Sequence, residues 1–126
     1  LLVVSQILQS SNLKFFCRDF EQSLHDIKRD DFVYFDPPYQ PVSQTANFTS
    51  YTNRNFTDDD LERLANLAEK LDSMGCKVLL SNSKSKTVEN SFSSSKWKIK
   101  EIRVNRAINS NSAKRTGHSE FLIKNY

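Results

Sequence analysis

At 126 residues, with 37% of them apolar and 26% charged, the chain is long enough for one domain with a core, and it holds no apolar run of the length that crosses a bilayer. A net charge of +3 is too small to argue for a polyanionic partner on bulk charge alone. Cys17 and Cys76 stand far apart and His25 and His118 are isolated, which excludes a disulfide framework, predicts free buried thiols and offers no metal-ligand spacing.

Residues 1–9 read as the tail of a helix, residues 13–17 as a short strand, and Arg18-Asp19-Phe20 as the turn out of it. Over residues 20–27, Phe20, Leu24 and Ile27 share one helical face. Residues 32–35, Phe-Val-Tyr-Phe, are apolar at every position, which predicts a buried central strand of a parallel sheet. Asp36-Pro37-Pro38-Tyr39 follows at once. The two prolines stop the strand and fix the backbone, so Asp36 stands at the carboxyl end of the strand, the edge at which open α/β sheets bind ligands. Residues 40–55 are rich in Ser, Thr and Asn, hold no clear period and read as a long loop over that edge.

Thr57 is an N-cap for the clearest helix. Leu61, Leu64, Leu67, Ala68 and Leu71 form its apolar face and Gly75 ends it. Asp58, Asp59 and Asp60 sit where the helix dipole favours anions, which explains them better than metal binding does. Residues 77–81 read as the next buried strand. Ser81 and Asn82 at its end serve equally well as support for the site or as caps of the short helix at 85–92. Residues 97–104 alternate as a strand with one wet face, 106–116 form a polar loop, and 120–124 a last strand. The fold class implied is α/β, with a mostly parallel sheet closed by a C-terminal antiparallel hairpin.

The turn at Asp36 suits one kind of chemistry. A carboxylate and the Pro37 carbonyl, whose angle is set by the ring of Pro38, can accept both hydrogens of one planar amino group. Tyr39 offers a flat face on which a heterocycle can stack. An amine held in this way is aimed at an electrophile by positioning and hydrogen bonding, with no strong base. The bland alternative is a strand-ending Asp-Pro turn with no chemistry. Between Lys96 and Lys124 eight cationic residues face only Glu101 and Glu120. Arg103, Arg106, Lys114 and Arg115 there suit phosphate positioning, as does Asn47 in the long loop, although an ordinary solvated face is an equal reading.

The tetrapeptide resembles the catalytic motif of amino-group DNA methyltransferases. The segments Thr45-Ala46-Asn47-Phe48-Thr49-Ser50-Tyr51, Asn55-Phe56-Thr57, Val78-Leu79-Leu80-Ser81-Asn82 and Arg106-Ala107-Ile108-Asn109-Ser110-Asn111 extend the likeness to the Dam-type (D12 class) DNA adenine methyltransferases. It runs from about Phe15 to the end of the chain. The resemblance implies a Rossmann-like fold and S-adenosylmethionine as cofactor. It implies methyl transfer to N6 of an adenine flipped out of double-stranded DNA, in a GATC-like site, with no covalent enzyme intermediate. It also implies a cytoplasmic bacterial or phage enzyme, as in restriction-modification. Asp36, Pro37, Pro38 and Tyr39 would be catalytic, Tyr39 stacking on the base, and Asp19, Phe20 and Asp36 would lie against the cofactor. Phe48, Tyr51 and Phe56 would wall the base pocket or anchor the loop, with anchoring preferred for Phe56.

In that family a Gly-rich cofactor loop and most of the target-recognition region precede the tetrapeptide. Here Gly75 and Gly117 are the only glycines, so residues 1–126 are expected to be the C-terminal part of a single catalytic domain, partnered by an N-terminal half. Two alternatives stay open: a catalytically incomplete fragment that binds nucleic acid or needs its second half, and an amino-methyltransferase acting on cytosine N4, RNA or a glutamine amide. By resemblance, Asp36 favours adenine over the Asn-bearing and Ser-bearing versions of the motif.

Overall fold

The computed structural model describes residues 2–9, 13–39, 56–104 and 118–126. The elements in chain order are α1 (Leu2–Leu8), a 3-10 turn (Glu21–Leu24), β1 (Phe32–Phe35), α2 (Asp58–Ser73), β2 (Lys77–Ser83), α3 (Lys86–Ser91), β3 (Lys98–Val104) and β4 (His118–Lys124). The four strands form one sheet in the order β1-β2-β4-β3. β1 and β2 are parallel, with Phe35 beside Leu80; β4 lies between β2 and β3 and runs antiparallel to both. The predicted C-terminal hairpin is therefore present. The sheet is nevertheless mixed among the described strands, because the inserted β4 makes two of the three pairings antiparallel.

α2 forms for the reasons its sequence announces. The Thr57 hydroxyl accepts from the Asp60 amide at 3.2 Å while the Asp60 carboxylate accepts from the Thr57 amide at 3.1 Å, so two amides at the helix start are satisfied reciprocally. Its end is equally well made. Gly75 takes φ +82°, its amide donates to the Asp72 carbonyl, and the Cys76 amide reaches back to Leu71. Between the ends, Leu61, Leu64, Ala65, Ala68 and Leu71 bury one stripe on Val33, Phe35, Val78, Leu80, Phe121 and Ile123 of the sheet. Each fully buried leucine there stabilises the fold by about 1.5–3 kcal/mol over leaving it exposed. Val88 of α3 and Phe92, which caps its C-terminus, complete this core, and the Trp97 ring meets Phe92 edge to face at 5.3 Å. Asn125 ties the chain end to the start of β2: its side chain accepts from the Val78 amide at 2.8 Å and donates to Asp72 and to the Cys76 carbonyl.

Several expectations are corrected. Residues 13–17 form no strand. A strand needs a ladder partner, and no described strand runs alongside them, so Phe15 and Phe16 stay exposed. Cys17 is exposed with them, leaving Cys76 as the one buried thiol; burial pushes that thiol up from its ordinary pKa. The helix expected over 20–27 is a single 3-10 turn with Asp19 and Phe20 carbonyls accepting from Gln22 and Ser23, although Phe20, Leu24 and Ile27 do pack on the core as their spacing requires.

β1 differs most from expectation. It is the edge of the described sheet rather than its centre, and it alternates: Val33 and Phe35 are buried, whereas Phe32 and Tyr34 are 55% and 51% exposed. An all-apolar run of four cannot distinguish burial on two faces from burial on one.

Candidate functional site

The carboxyl ends of β1 and β2 point the same way, and the register that sets Phe35 beside Leu80 brings Ser81 next to Asp36. The Ser81 hydroxyl donates to Asp36 Oδ1 at 2.8 Å, and the Tyr34 hydroxyl lies 3.1 Å from Ser81 Oγ. Ser81 has one hydroxyl hydrogen and spends it on Asp36, so Tyr34 is the donor in the second bond. Ser81 thus supports the site; the cap of α3 is Ser85, whose side chain accepts from the Val88 amide.

Three residues beyond Asp36, Tyr39 folds back across the sheet. Its hydroxyl donates to Glu120 Oε2 at 3.1 Å. Glu120 is a largely buried carboxylate on β4, in register with Ser83 of β2 and Ile102 of β3. Side chains alternate along strands, so Tyr34, Ser81 and Glu120 stand on one face of the sheet and the α2 core on the other. Burial first, and then the Glu120 carboxylate, hold the Tyr39 phenol above its ordinary pKa.

A cavity of about 230 Å³ opens beside this turn, walled by Phe20, Tyr34, Phe35, Asp36, Pro37, Pro38, Phe56 and Leu64. It is mostly apolar and aromatic with one carboxylate, a composition that takes a flat heterocycle and tolerates a cation. Phe20 and Phe56 both pack on the core and line the cavity.

Asp19 does not line the cavity. Its Oδ1 accepts from the Glu21 amide and from Arg63 Nη2, both at 3.0 Å. Arg63 also binds Glu21 at 2.6 Å and Asp60 at 3.0 Å, and its guanidinium lies 4.8 Å from the centre of the Phe20 ring. The Glu21 amide and then Arg63 hold the Asp19 carboxyl below the ordinary carboxylate pKa.

Of the expected phosphate contacts, Arg103 falls among the described residues. Arg103 is exposed on β3, where alternation places it on the opposite face from Ile102 and Glu120. Lys96 is engaged by Glu69 and Asp72. Asn47, Arg106, Lys114 and Arg115, with Phe48, Tyr51 and the loop over residues 40–55, lie outside the described residues. Among the described residues no group of His, Cys, Asp and Glu could hold a metal ion, and no helix is long and apolar enough to cross a membrane. Glu120 is the site residue that sequence reasoning missed. Its only signal was an acidic residue at the head of an otherwise apolar strand.

Comparison with known proteins bears directly on this arrangement. The family model for D12 class N6 adenine-specific DNA methyltransferase matches residues 1–108. A type II methyltransferase of Methanocaldococcus jannaschii is 43% identical over 98% of the chain and 42% of its own length. A type II methyltransferase of Lactococcus lactis subsp. cremoris is 37% identical over 98% of the chain and 43% of its own length. The DNA adenine methylase of Escherichia coli K12 is 33% identical over 90% of the chain and 40% of its own length. The chain thus spans less than half the length of these relatives.

Proposed function

Since the chain belongs to the D12 class of N6 adenine-specific DNA methyltransferases, we propose that it carries the amine-binding side of an adenine-N6 DNA methyltransferase site, using S-adenosylmethionine on a flipped adenine of a GATC-like duplex sequence. The observation that carries this reading is the Asp36 turn itself. Asp36 stands at a strand end with one carboxylate oxygen held by Ser81 and the cavity alongside.

In this reading the second Asp36 oxygen and the Pro37 carbonyl accept the two hydrogens of the adenine amino group, which raises electron density on its nitrogen. Tyr39, tethered by Glu120, offers its ring to the extruded base and offsets part of the few kcal/mol that unstacking costs. S-adenosylmethionine, when bound, supplies an electrophilic methyl group on a sulfonium. The residues fit such a group: Phe20 and Phe56 give apolar and aromatic walls for an adenine ring, and Asp36 gives a carboxylate for the cationic end. Asp19 acts on that pocket at one remove, by fixing Arg63 against Phe20. Neither thiol is placed as a nucleophile: Cys76 lies buried on the helix-packed side, and Cys17 belongs to the segment before Asp19. Arg103, Arg106, Lys114, Arg115 and Asn47 are assigned to phosphate contact, which would weaken with salt.

We further read residues 1–126 as the C-terminal part of one Rossmann-like catalytic domain. The half-exposed Phe32 and Tyr34 on the edge strand, with Phe15 and Phe16 nearby in sequence, offer apolar surface for the remainder of that domain. A fragment inactive until joined by that half is the second reading this surface favours.

Calorimetric titration of S-adenosylmethionine into the chain, with Asp36→Ala as control, tests the proposal. Binding that the control loses, followed by methylation of a GATC duplex, is expected if the described cavity suffices. Binding and methylation that appear only after the N-terminal half is added support the second reading. An Asp36→Ala variant that still methylates adenine at the parental rate sinks the assignment.

A further inference from the structure

We infer that Ser81 and Glu120 are the positioning residues of this site: Ser81 fixes which oxygen of Asp36 faces the amine, and Glu120 fixes the plane of Tyr39. The inference deepens the reading above and rests on it. Its starting point is that Asp36 is itself exposed, on a turn, with rotamers open to it, whereas its partner is not. Ser81 is 4% exposed in the middle of the sheet, held on both sides by β1 and β4.

A hydroxyl in that place commits Oδ1 and, among the described residues, leaves Oδ2 without a donor. The Tyr34 hydroxyl, donating to Ser81, prevents Ser81 from turning its own hydrogen away. The chain of donors runs one way, from Tyr34 through Ser81 to Asp36, and ends on the oxygen that is not needed for substrate.

Glu120 performs the matching task for Tyr39. A phenol ring tethered only at its backbone can rotate about two side-chain bonds. A hydrogen bond from its hydroxyl to a carboxylate that is 8% exposed removes that freedom before any base arrives. The raised titration of the phenol, set first by burial and then by the Glu120 carboxylate, accords with this placement. Both residues sit on the face that carries the turn, and both belong to strands whose opposite faces build the core. The arrangement therefore makes the sheet a jig for two groups separated from their supports by 45 and 81 residues of sequence.

The experiment is single-turnover methylation of an adenine-containing duplex by the active methyltransferase that carries this chain, comparing Ser81→Ala, Ser81→Thr and Asp36→Ala with the parent. Duplex affinity and melting temperature are measured on the same samples. Ser81→Ala should slow transfer by about 10–100-fold with both affinity and melting temperature little changed, and Ser81→Thr, which keeps the hydroxyl, should return the rate to within about threefold. A parental rate in Ser81→Ala, or a Ser81→Thr as slow as Ser81→Ala, overturns the role of Ser81. Full activity in Asp36→Ala would instead remove the functional reading beneath it.

Glu120 is tested without turnover, by nuclear magnetic resonance titration of ring-labelled tyrosine in the chain, with Tyr39→Phe identifying the signal. Glu120→Gln, which removes the anionic acceptor, should lower the Tyr39 titration point. A Tyr39 signal that does not move in Glu120→Gln overturns the tether.

Discussion

Asp19 and Asp36 invite comparison because each was expected to touch the cofactor, yet the structure surrounds them differently. Asp19 is met by a guanidinium that also binds Glu21 and Asp60, so its charge is balanced within a clamp between the 3-10 turn and α2. Asp36 is met by a serine hydroxyl, which orients a carboxylate without neutralising it. An arginine fork uses up a carboxylate's capacity to attract another cation or amine; a single neutral donor leaves most of it available. On the proposed reading, the difference between a structural and a reactive aspartate lies in the donor beside it.

The largest expected effect follows from that difference. Asp36→Asn keeps shape and loses the anion, and should cost about 10²–10³ in kcat, the range seen when one preorganised polar group is lost from a reaction centre. Asp19→Asn should leave kcat nearly unchanged and raise the KM for the methyl donor modestly, through the loosened Arg63 and Phe20. Steady-state kinetics on the pair decides the matter: a loss of kcat in Asp19→Asn comparable to that in Asp36→Asn would break the distinction.

A smaller effect probes where the clamp is anchored. Asp60 binds both Thr57 and Arg63, so the capping box and the clamp share a carboxylate. Thr57→Ala should cost about 1 kcal/mol of stability by urea unfolding. Its effect should be less than additive with Arg63→Ala, since the two changes disturb one network, and additive with Ser81→Ala, which belongs to another. Strict additivity with Arg63→Ala would show that the cap and the clamp are independent.

How far such distinctions could be read from sequence depended on range. The capping of α2 by Thr57 and its termination at Gly75 were legible because each is settled within three or four residues. The Asp36 turn was legible for the same reason, and its proline pair fixed its place at a strand end. The supports were not. Ser81 was ambiguous between site and cap because a serine after a strand does either, and only the parallel register with β1 decides. Glu120 carried no local signal, since its meaning comes from β4 inserting between β2 and β3. The false strand at 13–17 and the supposedly buried face of β1 share one cause. Apolar periodicity reports what a segment could bury, and the partner that would bury it is a property of the whole fold.

The smallest effect tests the Asp19 side of the comparison by pH. Because the Asp19 carboxyl titrates below its ordinary value in the folded chain, its contribution to stability is fully present above the unfolded value, near 3.8, and is lost as pH falls through the lower folded value. Asp19→Asn should therefore lower the plateau above about pH 4 modestly and flatten the acid limb, with parent and variant meeting at lower pH, where the contribution is already gone. The side chains of Asp19, Glu21 and Arg63 are all more than a third exposed, so salt should screen the contribution. In about 1 M salt the plateaus of parent and variant should converge, while the Thr57 cap, a short-range hydrogen bond, should keep its effect. An acid limb unchanged by Asp19→Asn at low salt would mean that the Arg63 clamp spends on Glu21 and Asp60 whatever it has to give, and that Asp19 is as free for a ligand as Asp36.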